Sequence, residues 1–288
     1  MSHPSLSSLT PEQMTSYRKQ GYLLLENAVS EKTLELSQLV LERWVAAMAA
    51  RWQTEGRIND TLSDTPFSTR LLALWEAAGR PGYNRSPRRE LVSPEMFDIL
   101  KAPELVDIAQ DLLGTTEVSA HGIFNARPKL PSQSWTDTPW HQDAQYFRDA
   151  ESIHVPTMWF PLQDVSPENS CLQVAPGLQN GKLHKGYDDP ETGFLGVTPE
   201  VRKTLVGKPI EMKRGDVLLF TQMTPHGAMR NRRQEVRWSM DLRFESTDTP
   251  TSGGKEYGFI ARSLRAPESV CDYQTWRTQW GADLGNGY

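Results

Sequence analysis

The sequence predicts a mainly β protein with flanking helices: a double-stranded β-helix, or cupin-like jelly-roll barrel, of antiparallel strands. Three observations predict it. The chain opens with capped helical segments, changes near Thr116 to short β-rich runs separated by turn residues, and contains a strictly alternating stretch from Val236 to Glu245. At 288 residues it is long enough to bury a large core, and one domain over 1–288 is expected. Within it, 1–115 is mostly helical, 116–245 is the jelly-roll core, and 246–288 is an extension with a closing helix.

Taken in order, Thr10 with Pro11, Glu12 and Gln13 marks a helix start, and Gly21 ends that helix before a strand over Tyr22–Leu25. Ser30 caps a second helix. Its apolar residues Leu34, Val40, Leu41, Trp44, Val45 and Met48 recur at three- and four-residue steps and form one packing face. From Thr54 to Ser93 the pattern weakens, and Arg80, Arg85, Arg88 and Arg89 bunch together. This reads as a solvated loop, with a cation-supplying lid as the functional alternative. Ser93-Pro94 and Pro103 to Leu113, with Gly114 after it, start and finish two further helices. A strand from Val118 to Arg127 follows, and its His121 reads as a hydrogen-bonded barrel residue. Thr157–Leu162 and Cys171–Val174 read as strands, and His184 as a loop histidine. Gly215 to Phe220 and Val236 to Glu245 read as the arms of a hairpin turning near Asn231-Arg232. Asp272 caps the closing helix, whose Trp276 and Trp280 form a docking surface.

Composition narrows the function. With 31 Lys and Arg against 36 Asp and Glu the net charge is -5, which argues against a nucleic-acid partner. Two cysteines leave no disulfide framework or cysteine metal cluster. No charged-then-apolar leader opens the chain and no run of about 18 apolar residues occurs, so the expectation is a cytoplasmic protein with no membrane partner. It is expected to act as a monomer or homodimer on a small-molecule substrate.

The chemistry concentrates in Thr138-Pro139-Trp140-His141-Gln142-Asp143 and Pro225-His226-Gly227. Two imidazoles and one carboxylate are the ligand set of non-haem iron(II), which leaves positions open for a co-substrate and dioxygen. If 141–143 is extended, His141 and Asp143 point to one face. In the expected hairpin register His226 stands opposite Arg237, whose guanidinium can hold a carboxylate bidentately beside the metal. The alternating run also puts Arg237, Ser239, Asp241 and Arg243 on one face, expected to line a cavity, and Trp238, Met240, Leu242 and Phe244 on the other.

His141-x-Asp143, His226, Arg237 eleven residues on, Trp159, and the run Asn169-Ser170-Cys171-Leu172-Gln173-Val174-Ala175-Pro176-Gly177 together resemble the phytanoyl-CoA dioxygenase family. The resemblance runs from about Leu9 to Phe244. One departure is that Leu178-Gln179 follows the Pro-Gly where the family usually has Ser-His. The resemblance implies Fe(II) on His141, Asp143 and His226. It also implies 2-oxoglutarate against Arg237, Trp159, Ile123 and Gln142, and dioxygen at the last position. The implied reaction is oxidation, usually hydroxylation, of an unactivated carbon, with 2-oxoglutarate converted to succinate and CO2. Desaturation, epoxidation or ring closure at the same centre, or a non-catalytic ligand-binding jelly roll, are the alternatives. Substrate contacts are expected from Asn125, Arg127, Trp135, Tyr146, Phe147 and Arg230, suiting a hydrophobic molecule with a polar or anionic handle.

Overall fold

The computed structural model describes residues 8–146 and 152–281. The helical part comprises α1 (Pro11–Gln20), α2 (Glu31–Thr54), α3 (Phe67–Ala77), α4 (Pro94–Leu100) and α5 (Pro103–Leu113), with the short strand β1 (Tyr22–Leu25) between the first two. The caps are where the residue chemistry put them. Thr10 and Gln13 form a reciprocal capping box on α1, and Gly21 closes the helix at φ 80. The Ser30 hydroxyl accepts from the Thr33 amide at the start of α2.

The strands that follow are β2 (Val118–Ala120), β3 (Asn125–Ala126), β4 (Thr157–Pro161), β5 (Leu172–Val174), β6 (Gly186–Asp188) and β7 (Leu195–Val197). After α6 (Pro199–Thr204) come β8 (Lys208–Pro209), β9 (Val217–Phe220), β10 (His226–Ala228) and β11 (Ser239–Ser246). Helix α7 (Ser252–Tyr257), β12 (Phe259–Arg262) and α8 (Tyr273–Gln279) end the described chain. A large antiparallel sheet runs β1-β9-β4-β11-β2-β12, with β3 also on β11, and a smaller one runs β10-β5-β8. These are two jelly-roll sheets, not a closed barrel. Trp159, Leu218 and Phe220 from the large sheet pack with Leu172, Val174 and Ile210 from the small one. The outer face of the large sheet meets the helices. There Met158, Phe160, Leu219, Trp238, Met240, Leu242 and Phe244 join Leu41, Trp44, Ile99 and Leu105 in the main core. No helix among the described residues is long and apolar enough to cross a membrane.

Four expectations about the strands and the closing helix need correction, and the 54–93 stretch read as a loop contains α3, with Leu71, Leu74 and Trp75 buried. The strands of the core extend beyond 116–245, because β1 pairs with β9 and β12 with β2. The strand expected over 118–127 is broken into β2 and β3. His121 Nδ1 accepts from the Ile123 amide at 2.9 Å, folding a local turn. Gly122 also lies so close to α7 that a Cβ there would sit 2.5 Å from Tyr257 Cβ. The hairpin does not form: β10 pairs with β5 in the small sheet, whereas β9 and β11 belong to the large one. The 229–235 segment therefore crosses between sheets, tied by Asn231 Nδ2 to the Lys129 and Glu235 carbonyls at 2.8 and 2.7 Å. The tryptophans of the closing region dock inward on the chain's own Phe97, Phe124 and Phe259, with Trp276 fully buried.

One buried acid is set against the fold. Glu245, near the end of β11, is fully buried. Its Oε2 accepts from the Thr251 amide at 2.9 Å, but Oε1 has no partner. Burial raises its pKa from 4.5 to about 7. A folded pKa above the unfolded one means the folded state binds the extra proton, so stability is lost as pH rises through this interval. Glu245→Gln is expected to stabilise the protein by on the order of 3 kcal/mol at pH 8.5 and hardly at all at pH 4. Urea unfolding at the two pH values checks this, and an equal effect at both would refute it.

Candidate active site

His141 and His226 are neighbours in a small antiparallel bridge, each amide donating to the other's carbonyl at 2.9 Å. The bridge brings their rings to a centroid separation of 4.2 Å. Asp143 is not on an extended strand, as the sequence had suggested, but opens a 3₁₀ turn over Asp143–Tyr146. That turn still delivers its carboxylate: Oδ1 is 3.5 Å from His141 Nε2 and 4.0 Å from His226 Nε2. The three ligand atoms lie within 4.8 Å of one another, and all three residues are buried.

The hydrogen bonds behind these groups orient them for a metal. His141 Nδ1 lies 2.9 Å from the Pro139 carbonyl and His226 Nδ1 3.0 Å from that of Thr224. A carbonyl only accepts, so the Nδ1 atoms carry the protons and the Nε2 lone pairs face Asp143. Burial, then the neighbouring His141, pushes His226 down to about pKa 3, which keeps it neutral. Burial alone would raise Asp143. The Arg243 guanidinium beside it outweighs this and holds the carboxylate well below its usual range. An ionised carboxylate and two imidazoles that present their Nε2 atoms to one point are what a divalent iron ion needs, so the residues present fit the metal.

A cavity beside the histidines is lined by Trp159, Leu172, Phe220, Thr138, Arg127, Lys129, Arg237, Asp241 and Arg243. Arg237 is buried and bridges the Lys129 backbone, not His226, yet it reaches the same cavity because the two sheets face each other. Its Nη1 donates to Ser239 Oγ at 2.5 Å and Nη2 to Ser170 Oγ at 3.3 Å, while Nε has no partner. Its guanidinium carbon stands 5.3 Å from the Trp159 ring centroid. No carboxylate pairs with it among the described residues. A buried guanidinium without a counterion suits an anionic ligand, so 2-oxoglutarate also fits.

Other expected contacts fall elsewhere. Gln142 turns away from the cavity. Its Nε2 donates to the Met223 carbonyl at 2.9 Å and its Oε1 accepts from the His184 amide at 2.8 Å, so it ties loops together behind the site. The Ile123 side chain packs with Ala144, Val155 and Met223 next to the metal turn. Asn125 and Arg127 both hold Asp241, at 2.6 and 3.0 Å. Tyr146 faces His141 edge-on, with centroids 5.8 Å apart, and donates to the Leu195 carbonyl at 2.9 Å. Trp135 packs into an aromatic group with Trp75 and Tyr83 on the helical side. Arg230 is a rim residue, ion-paired to Asp137 and Glu191 at 3.1 and 2.8 Å. Phe147 lies outside the described residues.

Sequence reasoning did not identify the partners of three cations. Arg243 makes a two-pronged contact with Asp143, Nη2 to Oδ1 at 2.9 Å and to Oδ2 at 2.8 Å with Nε at 3.1 Å, and Thr157 Oγ1 donates to Oδ2 at 2.6 Å. Its position on the polar face of β11 was legible, but its partner was not. Lys129 is buried, with Nζ donating to the Thr136 carbonyl and to Thr138 Oγ1 at 2.7 Å, and a lysine after a proline in a loop carries no signal of this. The third is Arg88, from the stretch read as a solvated loop. Its Nε reaches the Phe124 carbonyl and Asn125 Oδ1 at 3.0 and 3.1 Å.

The family model for phytanoyl-CoA dioxygenase (PhyH) matches residues 17–239. The chain belongs to the phytanoyl-CoA dioxygenase family. It is 24% identical over 262 residues to a probable phytanoyl-CoA dioxygenase of Caenorhabditis elegans, covering 84% of this chain and 77% of that one. It is 25% identical over 247 residues to the peroxisomal phytanoyl-CoA dioxygenase of Homo sapiens, covering 83% and 69%. Its fold matches that of a non-heme alpha ketoglutarate dependent carbocyclase from nogalamycin biosynthesis with TM-score 0.58 at 17% identity, covering 93% of each chain. As a phytanoyl-CoA dioxygenase family member, the protein is an enzyme, an oxygenase dependent on iron and 2-oxoglutarate that uses dioxygen.

Proposed function

We propose that this family member oxidises, by hydroxylation, an unactivated carbon of a small organic molecule while 2-oxoglutarate is converted to succinate and CO2. The observation that carries the reading is one cavity lined both by His141 and His226, with Asp143 grouped beside them, and by Arg237, whose guanidinium has no carboxylate partner among the described residues. In this reading His141, Asp143 and His226 would hold the iron beside the cavity. Arg237 takes the distal carboxylate of the ketoacid, with Trp159 along its length. Bound iron(II) and 2-oxoglutarate supply the oxidising power by activating dioxygen. The chain's part is to place a C–H bond near the metal and keep water out. Phe220, whose ring centroid is 4.3 Å from that of His226, and the buried Trp159 and Leu172 make an apolar floor for that purpose.

Anaerobic titration tests the reading. Iron(II) followed by 2-oxoglutarate is expected to produce a weak visible metal-to-ligand charge-transfer band that needs both additions and is absent in His141→Ala and Asp143→Ala. Iron binding with no band would remove the centre from the proposal.

A further inference from the structure

We propose that the substrate is an oxyanion, carboxylate or phosphoryl, and that Arg88 and Arg127 hold its charged end over the metal site. The inference rests on the oxygenase reading and adds the substrate class to it. Arg88 spends only Nε on the protein, and its terminal nitrogens have no hydrogen-bond or ion-pair partner among the described residues. It is joined to Arg127 through one pair of side chains: Arg88 Nε donates to Asn125 Oδ1 at 3.1 Å, and Asn125 Nδ2 and Arg127 Nε both donate to Asp241, at 2.6 and 3.0 Å. Arg127 spends Nε on Asp241 and lines the same cavity as the two histidines.

The charge balance points the same way. Arg127, Lys129, Arg237 and Arg243 line the site, Arg88 stands behind Asn125 at its edge, and Asp143 and Asp241 answer them. Iron(II) and doubly charged 2-oxoglutarate cancel each other and leave this excess in place. It persists if Lys129, driven well below its usual pKa by burial and then by Arg237, is counted as neutral. At the rim Asp137 and Glu191 share the single Arg230, which leaves one negative charge there, smaller than the excess inside. A neutral substrate would leave the terminal nitrogens of Arg88 without a charged partner and Arg127 with only its Nε contact to Asp241, whereas an oxyanion meets two forks suited to bidentate contact. Beside them stands an aromatic wall for the remainder of the molecule. Arg85 and Arg127 lie 4.1 and 5.5 Å from the Phe194 centroid.

The test uses the full chain loaded anaerobically with iron(II) and saturating 2-oxoglutarate, with octanoate, octyl phosphate and octanamide as probes. Binding is read from the perturbation of the charge-transfer band. At least one anion is expected to bind about 10-fold or more tightly than octanamide. The anion that binds better assigns the oxyanion as carboxylate or phosphoryl. Arg88→Gln and Arg127→Gln are expected to lose about 10-fold in affinity for the anion, and Arg88→Lys to recover most of it. Equal binding of the amide, no binding of either anion, displacement of 2-oxoglutarate by the probes, or unchanged affinity in both Gln variants would overturn the proposal. So would loss of the band itself in Arg88→Gln, which would move that residue into the co-substrate site. Failure of the band in the wild-type protein sinks the oxygenase reading instead, so the two failures are distinguishable.

Discussion

Replacing Arg237 with Leu is expected to weaken 2-oxoglutarate binding by about 2–5 kcal/mol, roughly 30-fold to several thousand-fold in Kd. Iron(II) affinity should stay within about three-fold. The size follows from burial. Arg237 is 1% exposed, its Nε lacks any partner, and its neutral contacts are two hydroxyls and the Arg127 carbonyl. A carboxylate arriving there replaces no strong existing pair, so most of the charge-assisted interaction appears as binding free energy. The selectivity follows from position. Arg237 is bridged to Lys129 on the large sheet, and the histidines are held by their own bridge and by the Pro139 and Thr224 carbonyls. Titrating 2-oxoglutarate into iron-loaded protein separates the possibilities: equal affinity in the variant would show that the distal carboxylate sits elsewhere, and joint loss of both ligands would show a collapsed site.

That Arg237 belongs with His226 was readable in the chain, but the route to it was not. The hairpin register inferred from alternation assumed that adjacent strands pair. A jelly roll sends successive strands to opposite sheets, so residues eleven apart meet across the interior instead of across a turn. The alternation of β11 was reliable because period 2 is a local property. Trp238, Met240, Leu242 and Phe244 pack under the helices, and Asp241 and Arg243 line the cavity. Gln142 was misassigned for the complementary reason. The 3₁₀ turn at Asp143 breaks the period, so the side chain between two ligands points to the loops behind them. Arg88 and Lys129 lie in segments without periodicity, where only tertiary contacts decide whether a cation faces water or a cavity.

Arg243 is where the second large effect is expected. Arg243→Met should lower unfolding stability by about 3–5 kcal/mol near neutral pH, because it strands the buried Asp143 carboxylate and takes from Asp241 one of its two guanidinium partners, leaving Arg127. The effect has a pH signature that a simple packing defect lacks. In the native protein Asp143 ionises well below its usual range, so the stability it contributes is fully present above the unfolded value, about 3.9, and fades as pH falls through the lower folded value. Without Arg243 the burial that now opposes ionisation would dominate, and the folded pKa would rise above the unfolded one. Stability of the variant then falls with rising pH over an interval where that of the native protein does not. The gap between the two proteins should therefore widen from pH 4 to pH 7.5, by about 1 kcal/mol or more. Thr157→Val, which removes only the hydroxyl on Asp143 Oδ2, should cost about 1 kcal/mol and leave Arg243 in place. Urea unfolding of metal-free protein at several pH values measures all three. A loss in Arg243→Met that is the same at every pH would mean that the guanidinium fills space, and that the ionisation of Asp143 is maintained by other groups.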